Sequence, residues 1–100
     1  MFDANVVLQQ LGGQGRLKAM LGAKNFVQSK EENWVEFRIG RNAKGVSIVR
    51  ITLTPEDTYN VEFGRIRKFD YKVLSSVEGI YCDMLKEVVE ENTGMFLTLF

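Results

Sequence analysis

The residues best equipped for chemistry in this chain are cations. Arg41 and Lys44 stand three positions apart in one segment, and Arg65, Arg67 and Lys68 crowd a second. Guanidinium and ammonium groups gathered at one place bind anions, phosphates above all. Two acidic pairs, Glu31-Glu32 and Glu56-Asp57, lie between these segments or before them. With 13 basic and 13 acidic residues the formal net charge is zero, so the question is where each sign falls in space.

Other chemistry is thinly represented. The chain has no histidine, which removes His-based triads and imidazole metal ligands. Cys82 is the single cysteine, so an internal disulfide and a thiolate zinc site are excluded. In a predicted helix it reads as a small half-buried side chain rather than a reactive thiol. Glu31-Glu32, Glu56-Asp57 and Glu90-Glu91 are adjacent pairs in turns or at a helix end, and such neighbours rarely converge on one ion. Gly12-Gly13-Gln14-Gly15 invites comparison with phosphate-cradling loops, but those follow a strand and open a helix. Here a helix precedes the glycines and a strand is expected after them, so they read as a connector and helix cap. Tyr59, Tyr71 and Tyr81 all fall at apolar parity and are expected in the core. The expectation is a protein that is not an enzyme and takes no cofactor or metal.

The elements that must position the cations begin with a short helix over 3–11. Asp3 or Asn5 can cap it, Ala4, Val7, Leu8 and Leu11 form its stripe, and Gly12-Gly13 can end it. Leu17, Ala19 and Leu21 alternate with polar or flexible neighbours, a weak strand signal. Phe26 and Val27 suggest another short strand before the polar turn 29–33. Three stronger strands follow. Val35, Phe37 and Ile39 share one parity in 34–39, Val49, Ile51 and Leu53 in 47–53, and Tyr59, Val61 and Phe63 in 59–63. Each has one covered and one wet face, and short connections favour hairpins. After Gly64 the alternation slips, which predicts a bulge there. Residues 69–74 suggest a further strand, with Tyr71 and Val73 on one side. Ser75 with Glu78 looks like a capping box opening a final helix, whose apolar face would run from Val77 to Val89 and whose end would be Gly94.

Strand direction then places the charges. If 34–39 runs upward, Arg41 and Lys44 lie at the top, Glu56 and Asp57 at the bottom beside Glu31 and Glu32, and Arg65, Arg67 and Lys68 at the top again. Five cations become neighbours at one end of a sheet. An alternative use for them exists within the chain. An ascending final helix would bring Glu87, Glu90 and Glu91 to the same end. Those acids oppose the helix dipole at a cost of about 0.3–1 kcal/mol, which pairing with the cationic loops would offset.

Composition sets the class. The 100 residues are 45% apolar and 26% charged with one proline, Pro55, as in ordinary globular domains. A chain of this length buries about 65% of its unfolded surface, enough for one core. The expectation is a single domain over 1–100, of class α+β: an antiparallel meander of four to six strands with an N-terminal and a C-terminal helix packed on one face. The N-terminus carries no cationic and apolar signal pattern, and apolar runs are too short to span a membrane. The apolar tail Met95-Phe96-Leu97 with Leu99-Phe100 is expected to fold onto the core or meet a partner.

Several segments together carry a family resemblance. Gly22-Ala23-Lys24-Asn25-Phe26, Arg41-Asn42-Ala43-Lys44-Gly45, Val49-Arg50-Ile51-Thr52-Leu53-Thr54, Val61-Glu62-Phe63, Tyr81 to Leu85 and Thr93-Gly94 resemble those of small phage and prophage-encoded proteins of unknown function. The resemblance implies an accessory protein of the bacterial cytoplasm and carries no activity or site residue with it.

Two functions are compatible with these readings. The first is a non-catalytic interaction module that self-associates, or that binds or inhibits a host protein, joined head to tail by opposite charges or through a sheet edge. The second is a nucleic-acid-binding accessory protein using Arg41, Lys44, Arg65, Arg67 and Lys68. Against the second stand the zero net charge and a wet face on which Trp34 is the single stacking aromatic.

Overall fold

The structure, a computed structural model, describes residues 3–95. Helix α1 spans Ala4–Gln10 and helix α2 Gln14–Leu21. Strands β1 (Lys24–Ser29), β2 (Trp34–Arg38), β3 (Ile48–Leu53), β4 (Tyr59–Arg67) and β5 (Asp70–Ile80) follow. A single 3-10 turn at Cys82–Met84 leads into helix α3, Leu85–Thr93. All five strands pair antiparallel in chain order. The fold is the expected α+β meander with helices at both ends of the chain.

Alternation explains the three central strands. Val35, Phe37, Val49, Ile51, Val61 and Phe63 are buried and face one another across the register, Val35 opposite Ile51 and Val49 opposite Phe63. Leu8 and Leu11, Leu17 and Leu21, and Leu85 and Val89 bring the three helices onto this face in one cluster. The 3.6-residue period of the helices and the two-residue period of the strands therefore converge on one core. Asp3 caps α1, its Oδ1 accepting from the Asn5 amide at 2.9 Å.

Two segments differ from expectation. Leu17 and Leu21 belong to a helix, not a strand; they sit four apart on its buried side while Ala19 is exposed. Gly12-Gly13 thus joins two helices, with Gly13 at the N-cap of α2. Residues 75–80 are strand rather than the first turns of the last helix. Ser75 does not form the capping box; its Oγ donates to Asn92 Oδ1 at 3.1 Å. Pairing with the nine-residue β4 satisfies more backbone than a local cap would, and tertiary pairing overrides the helical spacing.

The register does shift at Gly64, but the bulge expected there lies on the opposite strand. Phe63 pairs with Ser75 but Gly64 with Val73, so the extra residue is Leu74 on β5. Gly64 itself is needed because the Tyr71 ring lies across it, and a Cβ there would overlap that ring. Met95 packs against the core, whereas Phe96, Leu97, Leu99 and Phe100 lie outside the described residues. No helix among the described residues is long and apolar enough to cross a membrane.

Candidate anion-binding end and its hairpin arm

The β2–β3 connection is organised by one side chain. Asn42 Nδ2 donates to the Gly40 carbonyl at 2.9 Å and to the Val46 carbonyl at 2.7 Å, and Asn42 Oδ1 accepts from the Val46 amide at 3.1 Å. Half-buried polar backbone that would otherwise lack partners is thereby satisfied. The loop is also tied to α2, since the Gly40 amide donates to the Leu21 carbonyl at 2.8 Å. Arg41 and Lys44 project from this framework and are exposed.

Arg65 is joined to the same loop. Its Nε donates to the Gly45 carbonyl at 3.0 Å, and Gly45, at φ 71°, lies so close to the guanidinium that a Cβ would overlap it. Arg41, Lys44 and Arg65 therefore form one group. Arg67 and Lys68 lie farther out. The last β3 residue paired to β4 at this end is Ile48, opposite Gly64. Beyond it Arg65, Ile66 and Arg67 pair only with Lys72, Tyr71 and Asp70. At ~3.3 Å per residue this is an arm reaching about 10 Å past the sheet.

The arm has two unlike faces. Residues opposite one another in an antiparallel pair share a face, so Arg65 and Lys72 point one way, and Ile66 and Tyr71 the other. The tip is the two-residue turn Lys68-Phe69. Lys68 adopts φ 57°, a left-handed conformation that glycine enters freely and other residues at a cost. Phe69 is 104% exposed.

All five predicted cations thus lie at one end, and Glu31, Glu32, Glu56 and Asp57 occupy the turns at the other. Three cations join them that the sequence reading did not place there: Lys72, and Lys24 paired with Arg38. Among the described residues Arg41, Lys44, Arg67, Lys68 and Lys72 make no ion pair within 4.0 Å. Helix α3 does ascend toward them. Glu91 and Asn92 line one recess with Lys44, but Lys44 and Glu91 do not pair, so the expected internal neutralisation is not made there.

The open face of the sheet is differently arranged. Arg50 bridges Glu36, Nη2 to Oε1 at 2.7 Å and Nε to Oε1 at 2.9 Å, and its guanidinium covers the Trp34 ring at 4.2 Å. Tyr71 is on this face, not in the core as its parity suggested, and its phenol donates to Glu62 Oε2 at 2.6 Å. Burial, then the hydrogen bond to the Glu62 carboxylate, raise the phenol well above its ordinary pKa, so it remains a donor. Tyr81 is also exposed, at 65%, while Tyr59 is buried as expected. Both outer strands carry register shifts, β1 between Lys24 and Val27 and β5 opposite Tyr59–Val61 and Phe63–Gly64.

No family model, curated protein or solved structure matches the chain.

Proposed function

We propose that this chain is a non-catalytic accessory protein that binds nucleic acid through its cationic end. The phage-type resemblance and a bacterial-cytoplasmic setting belong to the same proposal. The single observation that carries it is the arm, where Arg67, Lys68 and Lys72 stand unpaired around a fully exposed aromatic beyond the rest of the sheet. Cations held apart from internal acids keep their charge for phosphates, and phosphate contacts supply most sequence-independent affinity. Zero net charge is no obstacle: Glu31, Glu32, Glu56 and Asp57 sit at the far end, outside the about 8–10 Å over which charges act at moderate salt. Asp70 and Glu91, which share the cationic end, make no ion pair with these cations among the described residues.

The other reading, self-association or a protein partner, draws on the same charge separation, which permits head-to-tail contact. Strand pairing favours it less. Both sheet edges carry bulges, and bulged edges are the ordinary device against edge-to-edge addition.

Arg65 supports the β2–β3 loop, so the test uses the arm. Arg67→Glu with Lys68→Glu should lower affinity for a fluorescein-labelled 20-base-pair DNA by more than tenfold. It should also flatten the slope of log K against log salt by about 2. Unchanged affinity and slope would remove the site. Absence of DNA binding together with particle mass that grows as salt falls would establish head-to-tail association instead.

A further inference from the structure

The arm's tip and the open face differ in which aromatics are free. Trp34 is covered by the Arg50 guanidinium at 4.2 Å. Tyr71 is held across Gly64 by its bond to Glu62. A run of unpaired bases needs several free aromatic faces on one surface, and this surface also carries Glu36 and Glu62, which repel phosphates. Phe69 is 104% exposed at the end of a two-stranded ribbon, flanked by Arg67, Lys68 and Lys72 with the acid Asp70 next to it opposite Arg67, so three cations outnumber one carboxylate there.

An isolated apolar ring on a narrow cationic support fits a different use. Proteins that deform duplex DNA insert single apolar wedges between base steps from the minor groove, while flanking cations hold the phosphates on either side. Lys68 adds a second observation. A lysine occupies a left-handed turn position where glycine would be unstrained, so a cationic residue stands at the tip against the backbone's preference.

We infer that the β4–β5 arm is a wedge for double-stranded DNA, with Phe69 entering between base pairs and Arg67, Lys68 and Lys72 on the adjoining phosphates. This inference rests on the nucleic-acid reading above and deepens it. It places the ligand's distortion, not only its charge, in the recognition.

The experiment is energy transfer across an end-labelled 20-base-pair DNA, with Phe69→Ala, Phe69→Trp and the unaltered chain. The unaltered chain should shorten the end-to-end distance in keeping with a kink of about 20–90°. Phe69→Ala should bind about tenfold more weakly with an unchanged salt slope and leave the duplex straight, since Phe69 contributes no charge. Phe69→Trp should keep the kink. A kink that survives Phe69→Ala, or salt-dependent binding with no kink in the unaltered chain, overturns the wedge while leaving phosphate binding intact. Tighter binding to the 20-nucleotide single strand than to the duplex overturns it as well. Loss of all DNA binding in the unaltered chain overturns both readings.

Discussion

The inner and outer halves of the β4–β5 hairpin are one continuous pair of strands in unlike surroundings. From Tyr59 to Phe63, β4 has β3 on one side and β5 on the other, and Tyr59, Val61 and Phe63 are buried. From Arg65 to Arg67 it has β5 alone, and at the turn Phe69 is wholly in solvent. Each apolar side chain of the inner half is accounted for by a core neighbour. In the outer half nothing described in the chain covers Phe69 or relieves the backbone of Lys68, and Arg67, though opposite Asp70 in the ladder, makes no ion pair among the described residues. Residues that local physics leaves unaccounted for are where a partner's physics is to be sought.

Substitution separates the halves. Phe63→Ala should lower unfolding free energy by about 3–5 kcal/mol, since it opens a cavity in the closed core. Phe69→Ala should change it by less than about 0.5 kcal/mol, as for other exposed positions. Urea denaturation of both variants checks the contrast, and comparable losses would mean that the arm packs against the body. Lys68→Gly is smaller and opposite in sign. Releasing the left-handed lysine recovers about 1–2 kcal/mol, offset by glycine's greater unfolded freedom, for a net gain of about 0.5–1 kcal/mol. The same variant should bind duplex DNA a few-fold more weakly. A gain in stability with no loss of affinity would make the strained turn incidental.

How much of this could be read beforehand varies with the type of signal. The meander and the opposite placement of the two charges follow from alternation in three strands and from short connections, and both depend only on local pattern. Leu17 to Leu21 misled because positions 17 and 21 satisfy both periods, and only Ala19, exposed in the structure, separates them. Ser75 and Glu78 match a cap in sequence, but the length of β4 draws 75–80 into the sheet, a long-range effect with no local mark. The arm was hidden for a related reason. It exists because β4 continues past the end of β3, and a difference in strand length is invisible until the register is known. Tyr71 leaves the core for another long-range reason, the extra residue Leu74, which turns the outer part of β5 over. Asn42 did carry a signal, an asparagine three residues before Gly45 in a short connection, the composition of a side-chain-closed turn.

In the proposed function the cationic end, and not the sheet's edges or its acidic end, meets nucleic acid. Amide chemical-shift mapping of the isotope-labelled protein titrated with the 20-base-pair DNA tests it most directly. Perturbations should concentrate at 41–45 and 65–72, weaken together as salt rises, and spare Glu31, Glu32, Glu56 and Asp57. Shifts centred on those acids or along β1, or none at millimolar duplex in low salt, would contradict the account.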